Sequence, residues 1–422
     1  MSANAVATHK IQTSSPARRI IMGIIFLALA LITWLAFIRS SDPSQVAVFN
    51  LVPGGSTQVI APWNVSVLPA LNVIAVICAV LGGYQLARGF KNWTNWALAV
   101  VVGLFIFAFL VWAAAGKSLN LAGLIATTLL KSVPITLGAL SGILCERAGV
   151  TNIAIEGMML SGAMLSALVA SLTHSLFVGL LAGIFIGAMM ALLHGWLSIK
   201  YKTNQIISAT VINILATGLT SYVSAKFMQP YPELNSSGIF SPIAIPLLSD
   251  IPVLGPILFN VNIFVYAMYF FLILLHVAYF HTKWGLRMRA VGEHPKAADT
   301  LGIDVIKTRW QAVLLSGCMA GFAGSYFTLG SVGRFDEVMT AGRGFIGLAA
   351  MIFGNWTPFG SFGAGLLFGF ADSLATRLTI LEIPIPSQFM LMAPYVATMI
   401  VLAGVVGRSQ APAADGEPYE KE

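Results

Sequence analysis

The strongest constraint on this chain is a recurrence: apolar runs near bilayer length follow one another almost from end to end. A run of about 20 apolar residues is long enough to cross a hydrocarbon core ~30 Å thick as a helix. No water is available there to satisfy backbone groups, so each run must satisfy its own by forming a helix. The expected spans lie near 20–38, 66–88, 95–115, 120–144, 152–173, 176–199, 205–228, 262–281, 310–330, 360–378 and 388–407. A shorter run at 344–355 reads as a half-helix or a re-entrant segment. The expected fold is therefore all-α, a polytopic transmembrane helical bundle of about 10–12 membrane segments. It occupies residues 20–407, between an N-terminal tail (1–19) and a C-terminal tail (408–422). The latter holds Asp415, Glu417, Glu420 and Glu422 and reads as polar and disordered.

Composition agrees, with 57% hydrophobic and 9% charged residues among 422, far from a soluble domain. Charge then sets the expected orientation. Lys10, Arg18 and Arg19 precede the first span, and only Arg39 with Asp42 follows it, which places the N-terminus in the cytoplasm. Alternate counting, with the 344–355 run taken as a crossing, puts the 282–309 loop and the C-terminus on that face too. The loop carries six Lys/Arg, whereas 229–261 on the opposite face carries only Glu233 and Asp250. The net charge of +7 is thus a topology signal; no basic stripe with interleaved aromatics suggests nucleic acid. The first run is too long for a signal-peptide core and reads as an uncleaved anchor.

The 282–309 loop is a charged island between two long apolar runs. Within it, Pro295-Lys296-Ala297-Ala298-Asp299-Thr300-Leu301-Gly302-Ile303 has the marks of a short helix. Proline suits a first helical position, alanines favour helix, and Gly302 is a stop. A polar helix projecting from a membrane protein is a handle for a soluble partner.

Ionisable and amide residues within apolar spans are functional candidates. Glu156 leads. Asn152 lies four residues before it, hence on the same helix face. The pair reads either as a gate on a translocation path or as a structural pair fixing the Glu146-Arg147 loop. Asp372 either lines a cavity or pairs with Lys131. Asn213 faces a pore or bonds a neighbouring helix. Asn355, a further candidate for the translocation path or gate, precedes Trp356 in a turn that reads as a hairpin tip with an interfacial tryptophan. Small-residue pairs, Gly138/Gly142, Gly183/Gly187, Gly317/Gly321 and Gly365/Gly369, read as helix-packing sites. Cys78, Cys145 and Cys318, with His194 and His276, lie in apolar runs without metal-ligand spacing and read as packing residues.

Enzyme motifs are missing. Gly116-Lys117-Ser118 imitates the end of a phosphate loop, but the required upstream glycine is Val111. No HExxH or GxSxG occurs, so no catalytic residue, metal or cofactor is assigned to this chain.

Four stretches, taken together, are specific. Residues Glu146 to Ala163 fit the pattern E-R-x-G-x-x-N-I-x-x-E-G-x-M-L-x-G-A. The others are Trp284 to Ile303, Ser316 to Gly324, and Gly342 to Pro358. In these the chain resembles the permease subunits of bacterial ABC importers, in the group serving branched-chain amino acids, simple sugars and nucleosides. The resemblance spans about 120–405 and is fullest toward the nucleoside or simple-sugar branch. It implies an inner-membrane permease, not an enzyme, working with ABC ATPase subunits that bind ATP and Mg. It also implies a second permease subunit, identical or related, and a periplasmic or lipoprotein solute-binding protein. The 295–303 helix would be the coupling helix that docks on the ATPase, through Pro295, Lys296, Ala297, Ala298, Asp299, Leu301, Gly302 and Ile303. Where many importers have E-A-A-x-x-x-G, this chain has Lys296 in place of the glutamate. Nucleosides are the first expected solute, then simple sugars, then branched-chain amino acids. The competing reading from the residues is an ion-coupled carrier using Glu156 or Asp372.

Overall fold

The computed structural model describes residues 16–54, 60–381, 389, 392 and 410–421. The expected span at 388–407 lies outside the described residues except at those two positions, and the tail before residue 16 lies outside entirely. Among the described residues, nine helices are long and apolar enough to cross a membrane. They correspond to the first nine expected spans. The tenth, near 360–378, is a helix of spanning length, Pro358–Ile380, made less apolar by Asp372 and Arg377.

The described residues divide into two compact units, one within 1–123 and 378–384 and the other within 124–377 and 385–422. In the first, α1 (Pro16–Ile32) and α2 (Val67–Ala87) form a hairpin in which Gly23 lies against Leu86 and Gly82 against Leu27. The third helix is α3 (Thr94–Ala113). A small sheet accompanies them: β1 (Val46–Asn50) lies between antiparallel β2 (Trp63–Ser66) and parallel β3 (Ser118–Asn120). Phe49 pairs with Trp63, and Val48 with Ser118. These strands depart from an all-helical expectation; each is too short for its alternation to stand out in sequence. Gly116, the false phosphate-loop glycine, turns the chain at a φ of 68° just before β3.

The second unit contains α4 (Leu121–Glu146), α5 (Ile155–Thr173), α6 (Leu176–Gly195) and α7 (Gln205–Val223). After the one-turn α8 (Leu254–Leu258) and a two-residue β4 (Ile243–Ala244) paired with β5 (Asn260–Val261) comes α9 (Ile263–His281). Then follow α10 (Lys283–Glu293), α11 (Pro295–Thr300), α12 (Val305–Phe327), α13 (Arg343–Phe353) and α14 (Pro358–Ile380). Helices α4, α5 and α12 form the buried centre, while α6, α7 and α9 leave broad apolar faces exposed.

The packing follows the small residues. Gly187 of α6 faces the backbone of Gly317 and Gly321 on α12, and Gly162 of α5 faces Gly321. Gly365 and Gly369 of α14 meet Thr136, Thr128 and Ser132 of α4, and Gly142 meets Met351 of α13. A side chain at these crossings would push the backbones apart, so close dispersion contact between helices would be lost. Cys78 and Cys145 are buried as packing residues.

Two boundaries position the site. Helix α13 has 11 residues, which is about 16 Å of helix and half a bilayer. It is the half-helix that the 344–355 run allowed. Helix α5 begins at Ile155, so Asn152 lies in the turn before it. The expectation that Asn152 and Glu156 share one helix face is therefore corrected.

Candidate functional site

The Glu156 carboxylate terminates α13. Its Oε1 accepts from Thr340 Oγ1 at 2.6 Å and from the Gly342 amide at 2.9 Å, while Oε2 accepts from the Gly344 amide at 2.6 Å. The first amides of a helix have no partner within it and carry its positive dipole end. A carboxylate from another helix satisfies both needs. The chain enters α13 through left-handed backbone at Val338, Ala341 and Gly342. Gly344 is obligatory in this geometry: a Cβ there would lie 2.6 Å from Glu156 Cα. Irregular backbone beside a broken helix survives in a membrane protein where protein or a wet cavity covers it.

Arg343, the first residue of α13, extends the cluster. It binds Asp372 Oδ2 at 3.2 Å, and Lys131 of α4 binds Asp372 Oδ1 at 3.3 Å. Lys131 also donates to Thr376 Oγ1. The Lys131 pairing was legible in sequence; Arg343 was not, because nothing in a linear reading brings it to α14. The start of α13 is thus held on one side by Glu156 of α5 and on the other by Asp372 of α14.

The amides tie segments distant in sequence. Asn152 is fully buried; its Nδ2 donates to Ser316 Oγ and its Oδ1 accepts from the Ala154 amide. Ser316 is 11 residues beyond Val305, the start of α12, or about 16 Å along the helix. The α4–α5 turn therefore dips deep into the bundle. Asn213 accepts from the Gly157 amide at 2.8 Å and donates to the Ile153 carbonyl at 3.0 Å, pinning α7 to the start of α5. Asn355 sits in the α13–α14 turn with left-handed backbone, its Oδ1 accepting from the Gln410 amide. Trp356 lies in the same turn, as expected, but is buried rather than interfacial: its indole donates to Glu146 at 2.7 Å and its carbonyl accepts from Arg147. His194 bridges Thr151 O and Ser208.

On the loop side, α10 and α11 form a helical pair. Thr282 caps α10, His294 caps α11, and Gly302 closes α11 at a φ of 78°. Ala298 points inward: it is 3% exposed in a cluster with Val291 and Val305, with Ala290, Ile303 and Tyr419 packed around it. Leu301 is 81% exposed. Lys296, Ala297 and Gly302 are exposed, and Pro295 and Asp299 partly so. Of the residues expected to dock a partner, Ala298 faces the chain's own core. The outward apolar positions are Leu301 and, on α10, Leu286.

The C-terminal tail differs from its expectation. Residues 410–421 lie on this same surface, with Ala414 donating to Gly292 O and Glu417 O accepting from Arg309. Asp415 accepts from Thr151 Oγ1 at 3.0 Å. Burial pushes the Asp415 carboxyl up to about 6, against the opposing pull of the Thr151 hydroxyl and of Arg309. An acidic composition argues for disorder only when no surface offers partners, and here a folded surface does.

Residues 124–406 match the family described as "Branched-chain amino acid transport system / permease component". The chain is 39% identical over 317 residues to a guanosine ABC transporter permease protein, NupQ, of Bacillus subtilis (strain 168), covering 71% of this chain and 96% of that one. It is 39% identical over 309 residues to a nucleoside ABC transporter permease protein, NupC, of Lactococcus lactis subsp. cremoris, with the same coverage. It is 30% identical over 328 residues to a putative glucose ABC transporter permease protein, TsgC13, of Haloferax volcanii, covering 71% and 98%. No solved structure matches.

Proposed function

The chain belongs to the permease-component family of branched-chain amino acid transport systems, and from that premise we propose that it is a membrane subunit of an ATP-driven importer of nucleosides. The nucleoside-transporter relatives support the solute class. Simple sugars are the second candidate, supported by the glucose relative, and branched-chain amino acids the third.

The observation that carries the reading is the α10–α11 pair, a polar, well-capped projection between two spanning helices that presents Leu301 81% exposed. Such an anchor suits a pocket on an ATPase subunit, with the exposed alanine Ala297 allowing close approach and the flanking charges orienting the pair. ATP and Mg would bind the ATPase, not this chain. A second permease subunit would complete the path, and a solute-binding protein would deliver the solute on the far side. The α10–α11 face and both termini would be cytoplasmic, in a bacterial inner membrane. Movement of α11 would reach the α4–α5 turn, beyond which Glu156 of α5 holds the start of α13.

An ion-coupled carrier has less support. Glu156 is held by three donors and Asp372 by two cationic side chains, which leaves neither as a ready ion-exchange site. The test is hydrolysis of ATP by the reconstituted complex with nucleosides, sugars and amino acids. Stimulation by nucleosides is expected. Ion-gradient-driven uptake without any ATPase would overturn the reading.

A further inference from the structure

We propose that the C-terminal segment 410–421 is a transmission strap that ties the α10–α11 pair to the 147–154 turn. The inference rests on the reading of α11 as the ATPase-facing helix. At one end, Tyr419 packs on the cluster of Val291, Ala298 and Val305, beneath α11. Lys421 lies 3.7 Å from Asp299 of the same helix. In the middle, Ala414 binds Gly292 O, and Arg309 at the start of α12 holds Glu417 O at 2.7 Å. Between Ala414 and Glu417, Asp415 receives the Thr151 hydroxyl.

Thr151 is a junction. Its amide donates to Gln205, its carbonyl receives His194, and the next residue is Asn152, bonded to Ser316. Glu156 follows within five residues. The strap also fills the seam between the two partners it joins. Gly292 packs directly on Arg147 O, while a Cβ at Gly149 would lie 2.9 Å from Ala414 O. A segment without regular structure gives up about 1–2 kcal/mol of backbone entropy per ordered residue. Its contacts therefore bias whichever arrangement of helix pair and turn allows them, which is the requirement for coupling two sites.

The positioning residues are Tyr419 and Asp415. The experiment uses the full chain assembled with its ATPase, second permease and binding protein, carrying Tyr419→Ala or Asp415→Ala, with Tyr419→Phe and Asp415→Asn as conservative counterparts. The alanine variants should retain ATPase association and basal hydrolysis and lose about fivefold or more of the solute-stimulated increment. The conservative variants should recover it, since phenylalanine keeps the packing ring and asparagine keeps the acceptor for Thr151. Amide hydrogen exchange over 149–157, measured on the full chain alone in detergent, should accelerate in both alanine variants. Unchanged stimulation or unchanged exchange would overturn the strap, and loss of ATPase association would make the segment a docking surface instead. If the unaltered complex shows no solute-stimulated hydrolysis, the importer reading fails, and the exchange measurement alone then decides the strap.

Discussion

Glu156 and Gly344 are 188 residues apart in sequence, and the carboxylate of the first accepts the amide of the second at 2.6 Å. That bond joins the start of α5 to the start of a half-helix. It sets the position of α13 against the centre of the bundle, because the amides of Gly342 and Gly344 have one acceptor in common. A carboxylate can accept at both oxygens, whereas a carboxamide accepts at one and presents donors at the other.

Glu156→Gln should therefore leave one α13 amide facing an NH2 group. The expected loss is about 1–3 kcal/mol of stability, the usual consequence of an unsatisfied buried polar group. Gly344→Ala forces a Cβ into the Glu156 backbone and should cost a similar ~1–3 kcal/mol by overpacking. Thermal unfolding in detergent, alongside uptake, checks both. Unfolding temperatures equal to that of the unaltered chain would refute the cap.

Asp372→Asn should destabilise the α13–α14 contact, since Arg343 and Lys131 would then share a site without a counter-charge. The group is about one-quarter exposed, so the expected loss lies between surface and buried limits, about 1–3 kcal/mol. Uptake by this variant should remain independent of an imposed proton gradient. A gradient-dependent wild type that Asp372→Asn renders independent would point to ion coupling instead.

Two substitutions on the helix pair separate packing from docking. Ala298→Trp places an indole where Val291, Val305 and Tyr419 already pack, and should lower stability of the isolated chain. Leu301→Asp alters a side chain 81% exposed and should leave unfolding unchanged while abolishing co-purification with the ATPase. Retained association in Leu301→Asp would remove Leu301 from the interface.

The strap should be pH-sensitive. Docking raises the Asp415 carboxyl to about 6 from an ordinary value of 3.8. Its folded value is the higher one, so the stabilisation it gives is fully present below 3.8 and is lost as pH rises through 6. Protection of the 410–421 amides, corrected for intrinsic exchange, should thus weaken between pH 4 and 7, and Asp415→Asn should flatten that dependence. A profile unaltered in Asp415→Asn would assign the effect to other groups.

The linear sequence determined what depends on neighbours in the chain. Spanning length and hydropathy are sums over consecutive residues, so nine spans, the short run at 344–355 and the capped helix within the charged island were all readable. So was the family pattern, because its spacing is local. Lys131 and Asp372 were paired from their rarity in apolar runs. The tertiary structure decided everything that depends on which face meets which. Asn152 lies before α5 rather than on it. Asn213 pins α7 to the start of α5, and Asn355 accepts from Gln410 of the C-terminal segment. Ala298 faces inward while Leu301 faces out, though both lie in one short motif. Arg343 found Asp372, Glu156 found α13, and an acidic tail found partners on a folded surface. A hydrogen bond or a buried methyl is fixed by three-dimensional proximity between residues far apart in the chain, and no property summed along a window contains that proximity.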